Sequence, residues 1–219
     1  VQAGLGMNSY IATIIIFAVS TAVAGANITA TVVTMRAKGM SFNRVPIFVI
    51  GATISVALAI PAFPTFMLAQ IMTAMDRCFG TTFFDAHQGG SGWLYAHLFW
   101  IMGHPEVYVI LIPAVAALME FAPVFTRRPI YSFVAAVMGL AGIAGLSVLV
   151  WAHHMYISGW APLLNGPFML TTELISIPTG MLFLVILGTI WRSHVWMTVP
   201  MAGVYALLWN FIIGGITGI

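Results

Sequence analysis

Charge is nearly missing from this chain. Only 5% of its 219 residues are Asp, Glu, Lys or Arg, where soluble domains average about 25%. That scarcity, together with 61% hydrophobic residues, excludes an ordinary water-soluble domain and makes the bilayer the main solvent. A single cysteine, Cys78, excludes an internal disulfide and leaves no CxxC pair. The net charge of +2 rests on seven basic and five acidic residues, too few to form a nucleic-acid-binding surface. Alternating ten-residue strands are absent, which excludes a membrane barrel. Val1–Gly6 lacks the basic start of a cleavable signal. There is no internal repeat and no low-complexity stretch. The longest polar loop, at about 75–92, leaves no room for a soluble domain. The chain starts at Val1 without a methionine and ends where an apolar run ends, so we expect a piece of a longer polypeptide.

Long apolar runs are what the sequence does have. Hydropathy predicts six helical spans, at about 8–34, 45–74, 93–121, 130–156, 168–190 and 197–217, each near or above the roughly 20 residues that cross a bilayer core. Helices are the expected form, because a backbone in lipid must satisfy its own hydrogen bonds. The expected fold is all-α: residues 1–219 as a single membrane domain, a polytopic transmembrane helix bundle. Arg36, Lys38, Arg44, Arg127, Arg128 and Arg192 fall in alternate connections, and only Arg77 falls in the others. The positive-inside rule then puts the first set in the cytoplasm and both ends of the segment on the outer side. Trp93, Trp100, Trp160 and Trp191 suit interfacial aromatic belts.

Within these runs sit three histidines. His104 lies in Gly103-His104-Pro105-Glu106-Val107-Tyr108, and His153 and His154 close the next span in Trp151-Ala152-His153-His154. Ionisable groups at membrane depth are costly and mark function by default, and imidazole is a common ligand for copper, iron and zinc. One histidine on one helix and an adjacent pair on the next can give three nitrogens to one ion. His104 and Tyr108 are four apart and share a helix face. Pro105 removes a backbone donor and crowds the carbonyl of Ile101, which bends the span beside the candidate ligand. Glu106 points to another side of the helix, where it could bring protons near the site. In this orientation His104 is about 16 Å into span three, and Glu173 about 8 Å into span five from the same side, near the level of the histidine pair. His97 reads as a structural hydrogen-bonding histidine, and His87 and His194 as loop residues. Glu120 reads as an interfacial charge.

Longer strings carry a resemblance. They are Met75-Asp76-Arg77-Cys78-Phe79-Gly80-Thr81-Thr82-Phe83-Phe84-Asp85, the His104 string after Leu98-Phe99-Trp100, and Trp151-Ala152-His153-His154-Met155-Tyr156. To these are added Ile177-Pro178-Thr179-Gly180, Gly214-Gly215-Ile216-Thr217-Gly218, and the stretch from Asn27 to Met40. Together they resemble subunit I of the heme-copper oxidases, the terminal respiratory enzymes, over about the fourth to ninth of the family's twelve helices. The resemblance implies that His104, His153 and His154 bind the copper facing a high-spin heme. It implies that Tyr108 is joined covalently to His104 and supplies an electron and a proton when dioxygen is reduced to water. Glu106 would head the main proton path, with Ser20, Thr21 and Asn27 along it. Thr172 and Thr179 match the second path. Heme is implied, but the ligands of its iron lie on helices outside this segment. The implied partners are subunits of the II and III type, cytochrome c or quinol, dioxygen and membrane lipid. The implied location is a bacterial or archaeal plasma membrane, with proton translocation coupled to the reaction.

The departures are specific. Leu182 stands where many members have the lysine of the second path, and Met119 where a serine is expected. An apolar side chain cannot hold a proton or order water, so that path is absent or rerouted. Ala161, Leu163 and Asn165 replace an acidic pair and an arginine. Glu173 stands where methionine is common. Nitric oxide reductases of the same superfamily keep three histidines, carry carboxylates near the metal and use non-heme iron. Carboxylate favours that harder metal, so a reductase with Glu173 near the ion is the alternative. A metal-ion or proton transporter with a histidine-rich midplane site is the reading from another class.

Overall fold

The structure, a computed structural model, describes residues 4–159 and 162–218. Trp160 of the expected belt and Ala161 lie outside the described residues. Among the described residues seven α-helices follow one another: α1 Leu5–Thr34, α2 Ile47–Cys78, α3 Gly92–Thr126, α4 Phe133–Ser147, α5 Pro162–Leu174, α6 Ser176–Ile190 and α7 Val199–Gly218. There are no strands among the described residues. α1, α2, α3, the pair α5–α6 and α7 are long and apolar enough to cross a membrane, and the chain is an integral membrane protein.

The fourth expected span is corrected. α4 stops at Ser147 after 15 residues, about 22 Å at ~1.5 Å per residue and short of a bilayer core on its own. The chain turns at Val148–Val150 and continues as a 3-10 helix, Trp151–Met155. Ser147 Oγ donates to the Ala144 carbonyl at 2.7 Å. The carbonyl of Leu149, freed at the break, accepts from Thr171 Oγ1 of α5 at 3.2 Å. A neighbouring helix thus supplies the hydrogen bond that the broken helix loses.

α3 is the centre of the bundle and packs against α2, α4, α6 and α7. Its Ile112, Val115, Ala116 and Met119 meet Leu140 and Ile143 of α4, Val185 and Ile186 of α6, and Met201 and Val204 of α7, all buried. Small residues set the closest approach, since lipid gives no hydrophobic drive between helices and packing must supply it. A Cβ on Gly51 of α2 would come within 2.5 Å of Ala116 Cβ on α3. α1 buries only Ile11, Ala18 and Gly25, one residue every second turn, as a single stripe against α2.

Proline in α3 explains another contact. Pro113 has no N–H for the carbonyl of Val109 one turn earlier. Ser55 Oγ of α2 donates to that carbonyl at 2.6 Å, and Ser55 is buried. A Ser55→Ala change should destabilise the intact protein by about 1–3 kcal/mol, the cost of a buried unpaired carbonyl, read as a lower thermal unfolding midpoint. An unchanged midpoint would show that water reaches Val109.

Arg36, Lys38, Arg44, Arg127, Arg128 and Arg192 lie in connections at one end of the bundle. There Arg128 Nη1 donates to the Trp191 carbonyl at 2.8 Å and Arg127 lies over the Trp196 ring. Glu120 does more than sit at an interface: its Oε1 accepts from the Phe48 N–H at 3.2 Å, satisfying a free donor in the first turn of α2. At the opposite end Asp76 accepts from Thr81 Oγ1 at 2.6 Å and from the N–H groups of Phe83 and Phe84 at 2.9 and 3.1 Å. These bonds fold the 79–91 connection back over the end of α2.

Candidate metal centre

The three histidines converge. α3 runs on as α-helix through Pro105 and carries His104 buried in the bundle. His153 and His154 come from the 3-10 helix, where successive residues turn by about 120° and rise ~2 Å. That tighter winding replaces the α-helical spacing expected for the pair. His104 Nδ1 is 2.9 Å from His153 Nε2 and 3.1 Å from His154 Nε2. One ligating nitrogen from each of the three lies within 4.8 Å of the others. α3 and α5 pack on the 3-10 helix that holds the pair.

The hydrogen bonds outside the triad fix which nitrogen faces inward. Thr172 Oγ1 donates to the Phe168 carbonyl at 2.6 Å. Its oxygen is then an acceptor for His153 Nδ1, 2.9 Å away. With the proton on Nδ1, the lone pair of His153 sits on Nε2, the nitrogen aimed at His104. A ligand histidine held through its other ring nitrogen is the usual arrangement at metal sites. His104 Nδ1 faces two imidazole nitrogens, and one proton cannot bridge all three. A single cation can. Three neutral imidazoles suit copper and also zinc or iron. His104 Nε2, on the far side of its ring, is buried with no hydrogen-bond partner among the described residues.

Trp100 is placed differently from the belt reading. Its ring stacks on His154 with centroids 3.8 Å apart and planes 6° from parallel. Trp151 Nε1 donates to His97 Nδ1 at 3.3 Å, a structural role for His97. Spacing alone offered a signal for Trp100, since it lies one turn before His104 on the same face. Replacing Thr172 by Val removes the acceptor for His153. The expected result is a 10–100-fold weaker hold on the metal, read as metal lost to a chelator. A Thr172→Ser protein should retain it, and equal retention by both variants would count against this orienting role.

Tyr108 packs near His104, ring centroids 4.8 Å apart. It also lines a cavity of about 480 Å³ between α3, α5–α6 and α7. The wall on α3 and α5–α6 carries Tyr108, Thr172, Glu173, Ser176 and Thr179, and the α7 wall carries Phe211, Gly214 and Gly215. A Cβ on Gly214 or Gly215 would meet nothing within 4 Å, so this wall faces open space. The structure thus brings Thr172, Thr179 and Glu173 to one cavity with Tyr108. Glu106 is half-buried and makes no side-chain hydrogen bond among the described residues. Ser20 and Asn27 lie on the exposed face of α1 and Thr21 is half-buried. α1 packs chiefly on α2, and its Ala18 shares a buried cluster with Phe63 of α2 and Met102 of α3.

A family model described as Cytochrome C and Quinol oxidase polypeptide I matches residues 2–219. Cytochrome c oxidase subunit 1 of Bacillus subtilis (strain 168) is 37% identical over 216 residues, 99% of this chain and 35% of that protein. Quinol oxidase subunit 1 of the same strain is 38% identical, over 99% of this chain and 33% of that protein. Probable cytochrome c oxidase subunit 1-alpha of Streptomyces avermitilis is 39% identical, over 99% and 37%. The chain spans about a third of the length of the curated relatives it matches.

Proposed function

Because this chain belongs to the cytochrome c and quinol oxidase polypeptide I family, we propose that the intact protein is a terminal oxidase that reduces dioxygen to water and moves protons across a bacterial or archaeal plasma membrane. The observation that carries this reading is the convergence of three imidazole nitrogens, with the lone pair of His153 turned inward by Thr172. His104, His153 and His154 would hold copper as neutral ligands. The family implies a heme as well, with the ligands of its iron in parts of the protein outside this segment. Copper and heme iron, when bound, supply electrons to dioxygen.

The protein's own residues then have distinct tasks. Thr172 keeps His153 in one tautomer. The stacked Trp100 ring holds His154 in plane. Tyr108 holds a phenolic proton at the edge of the triad and can give it with an electron. The unpartnered Nε2 of His104 supports a covalent link between that ring and Tyr108. Glu106, two residues from the ligand, is the proton relay, and Ser20, Thr21 and Asn27 belong to the path that reaches it. Residues 1–219 act as one membrane domain with both ends on the outer face, alongside subunits of the II and III type. Cytochrome c or quinol donates the electrons.

One observation favours a second reading. Glu173 lines the same cavity as Tyr108, and a carboxylate beside three imidazoles suits non-heme iron and nitric oxide reduction. Metal content with oxygen and nitric oxide turnover of the intact protein separates the two. Copper with oxygen consumption supports the oxidase. Iron in place of copper, with nitric oxide consumption, supports the reductase.

A further inference from the structure

The cavity beside Tyr108 has a polar wall. Toward the basic end of the bundle lies a separate void of about 20 Å³. It is lined by Val115, Ile143, Leu182, Ile186 and Leu208, with Thr179 as its only polar lining residue. A void of that size holds about one water, and a water needs two to four polar partners to stay. Met119 and Leu182 are 1% and 4% exposed, so apolar side chains fill the seam between α3 and α6. That seam offers a file of water few polar partners.

The polar groups of the cavity lie instead along its side. Glu173 is in the last turn of α5, and the α-helical run breaks at Ile175. Ser176 Oγ donates to the Glu173 carbonyl at 2.6 Å, which pins the backbone at the break. The Glu173 carboxyl has no hydrogen-bond partner among the described residues. It shares the cavity with the hydroxyls of Ser176, Thr179 and Tyr108, and with Asn210 on the opposite wall.

We propose that Glu173 is the residue through which protons enter the cavity beside Tyr108, in place of a file along the α3–α6 seam. This rests on the oxidase reading above. In the step itself the carboxyl gives its proton to cavity water on the Tyr108 side. The carboxylate left behind regains a proton from water at the cavity mouth. No electron moves.

The test uses the full-length, metal-loaded protein. It is reduced anaerobically with hexaammineruthenium(II), which gives an electron without releasing a proton, while a pH-indicator dye reads proton uptake and difference infrared reads carboxyl bands. In a Glu173→Gln protein, copper and heme content should be unchanged. Proton uptake should slow by about tenfold or more, and one carboxyl band that responds to reduction should vanish. A Glu173→Asp protein should recover most of the rate and show a displaced band. Uptake at the parental rate in Glu173→Gln, or an unaltered set of carboxyl bands, overturns the proposal. Failure of both variants to load metal also overturns it, in favour of a structural role. Anaerobic uptake does not depend on oxygen chemistry. A parent protein that fails to consume dioxygen yet shows Glu173-dependent uptake sinks the oxidase reading alone. One that consumes dioxygen with Glu173-independent uptake sinks this proposal alone.

Discussion

Replacing His104 by Ala should leave the intact protein unable to hold the proposed copper and without turnover. His104 Nδ1 is the nitrogen that faces both other imidazoles, at 2.9 and 3.1 Å, so its removal opens the set from the middle. Structural zinc sites with four ligands are worth about 10–16 kcal/mol, which shares out to roughly 3 kcal/mol per ligand. That is about two powers of ten in affinity, and the two remaining imidazoles would also lose the neighbour that fixes their angle. Metal analysis after dialysis against a chelator should therefore find heme retained and copper gone. The helix itself should survive, because alanine is a better helix former than histidine. A variant that keeps a full complement of copper would show that the ion lies elsewhere.

Replacing Tyr108 by Phe should separate holding the metal from using it. The ring still packs near His104 and only the hydroxyl is lost, so copper and heme content should match the parent. Turnover should fall by about 10²–10⁴, the usual worth of a positioned proton donor, and more if the electron from the phenol is required as well. The contrast with Thr172→Val is informative: that change loosens the metal, while this one leaves it in place and silences it. A Tyr108→Phe protein with parental turnover would remove the phenol from the reaction and strengthen the reductase reading, which has no need of it.

Much of this was legible in the residues. Long apolar runs placed α1, α2, α3 and α7 within a few residues, because the free energy of moving apolar groups into lipid sums over a whole span. The triad was legible because histidine at membrane depth has few other reasons to persist. What escaped was decided by single hydrogen bonds and by neighbours distant in sequence. Hydropathy counts Val148–Tyr156 as a continuation of a span and carries no sign that Thr171 accommodates a broken backbone there. Thr172 was assigned to a proton path by resemblance, while its place on His153 depends on the 3-10 winding that brings the ring within 2.9 Å. Trp100 was read by its amphipathic ring and not by the imidazole that stacks on it. Glu120 reads as an interfacial charge in the sequence because nothing local shows that the start of α2 lies beside it. Leu182 and Met119 gave the opposite case. Their apolar character was plain in the sequence, and its consequence became visible once the void below Thr179 proved to have no other polar lining.

X-ray absorption at the copper edge of the purified, full-length protein tests the central claim most directly. The account predicts one copper per protein with three imidazole nitrogens at bonding distance, and loss of one of them in His153→Ala. Iron in that position with no copper, or copper bound without imidazole, would contradict it.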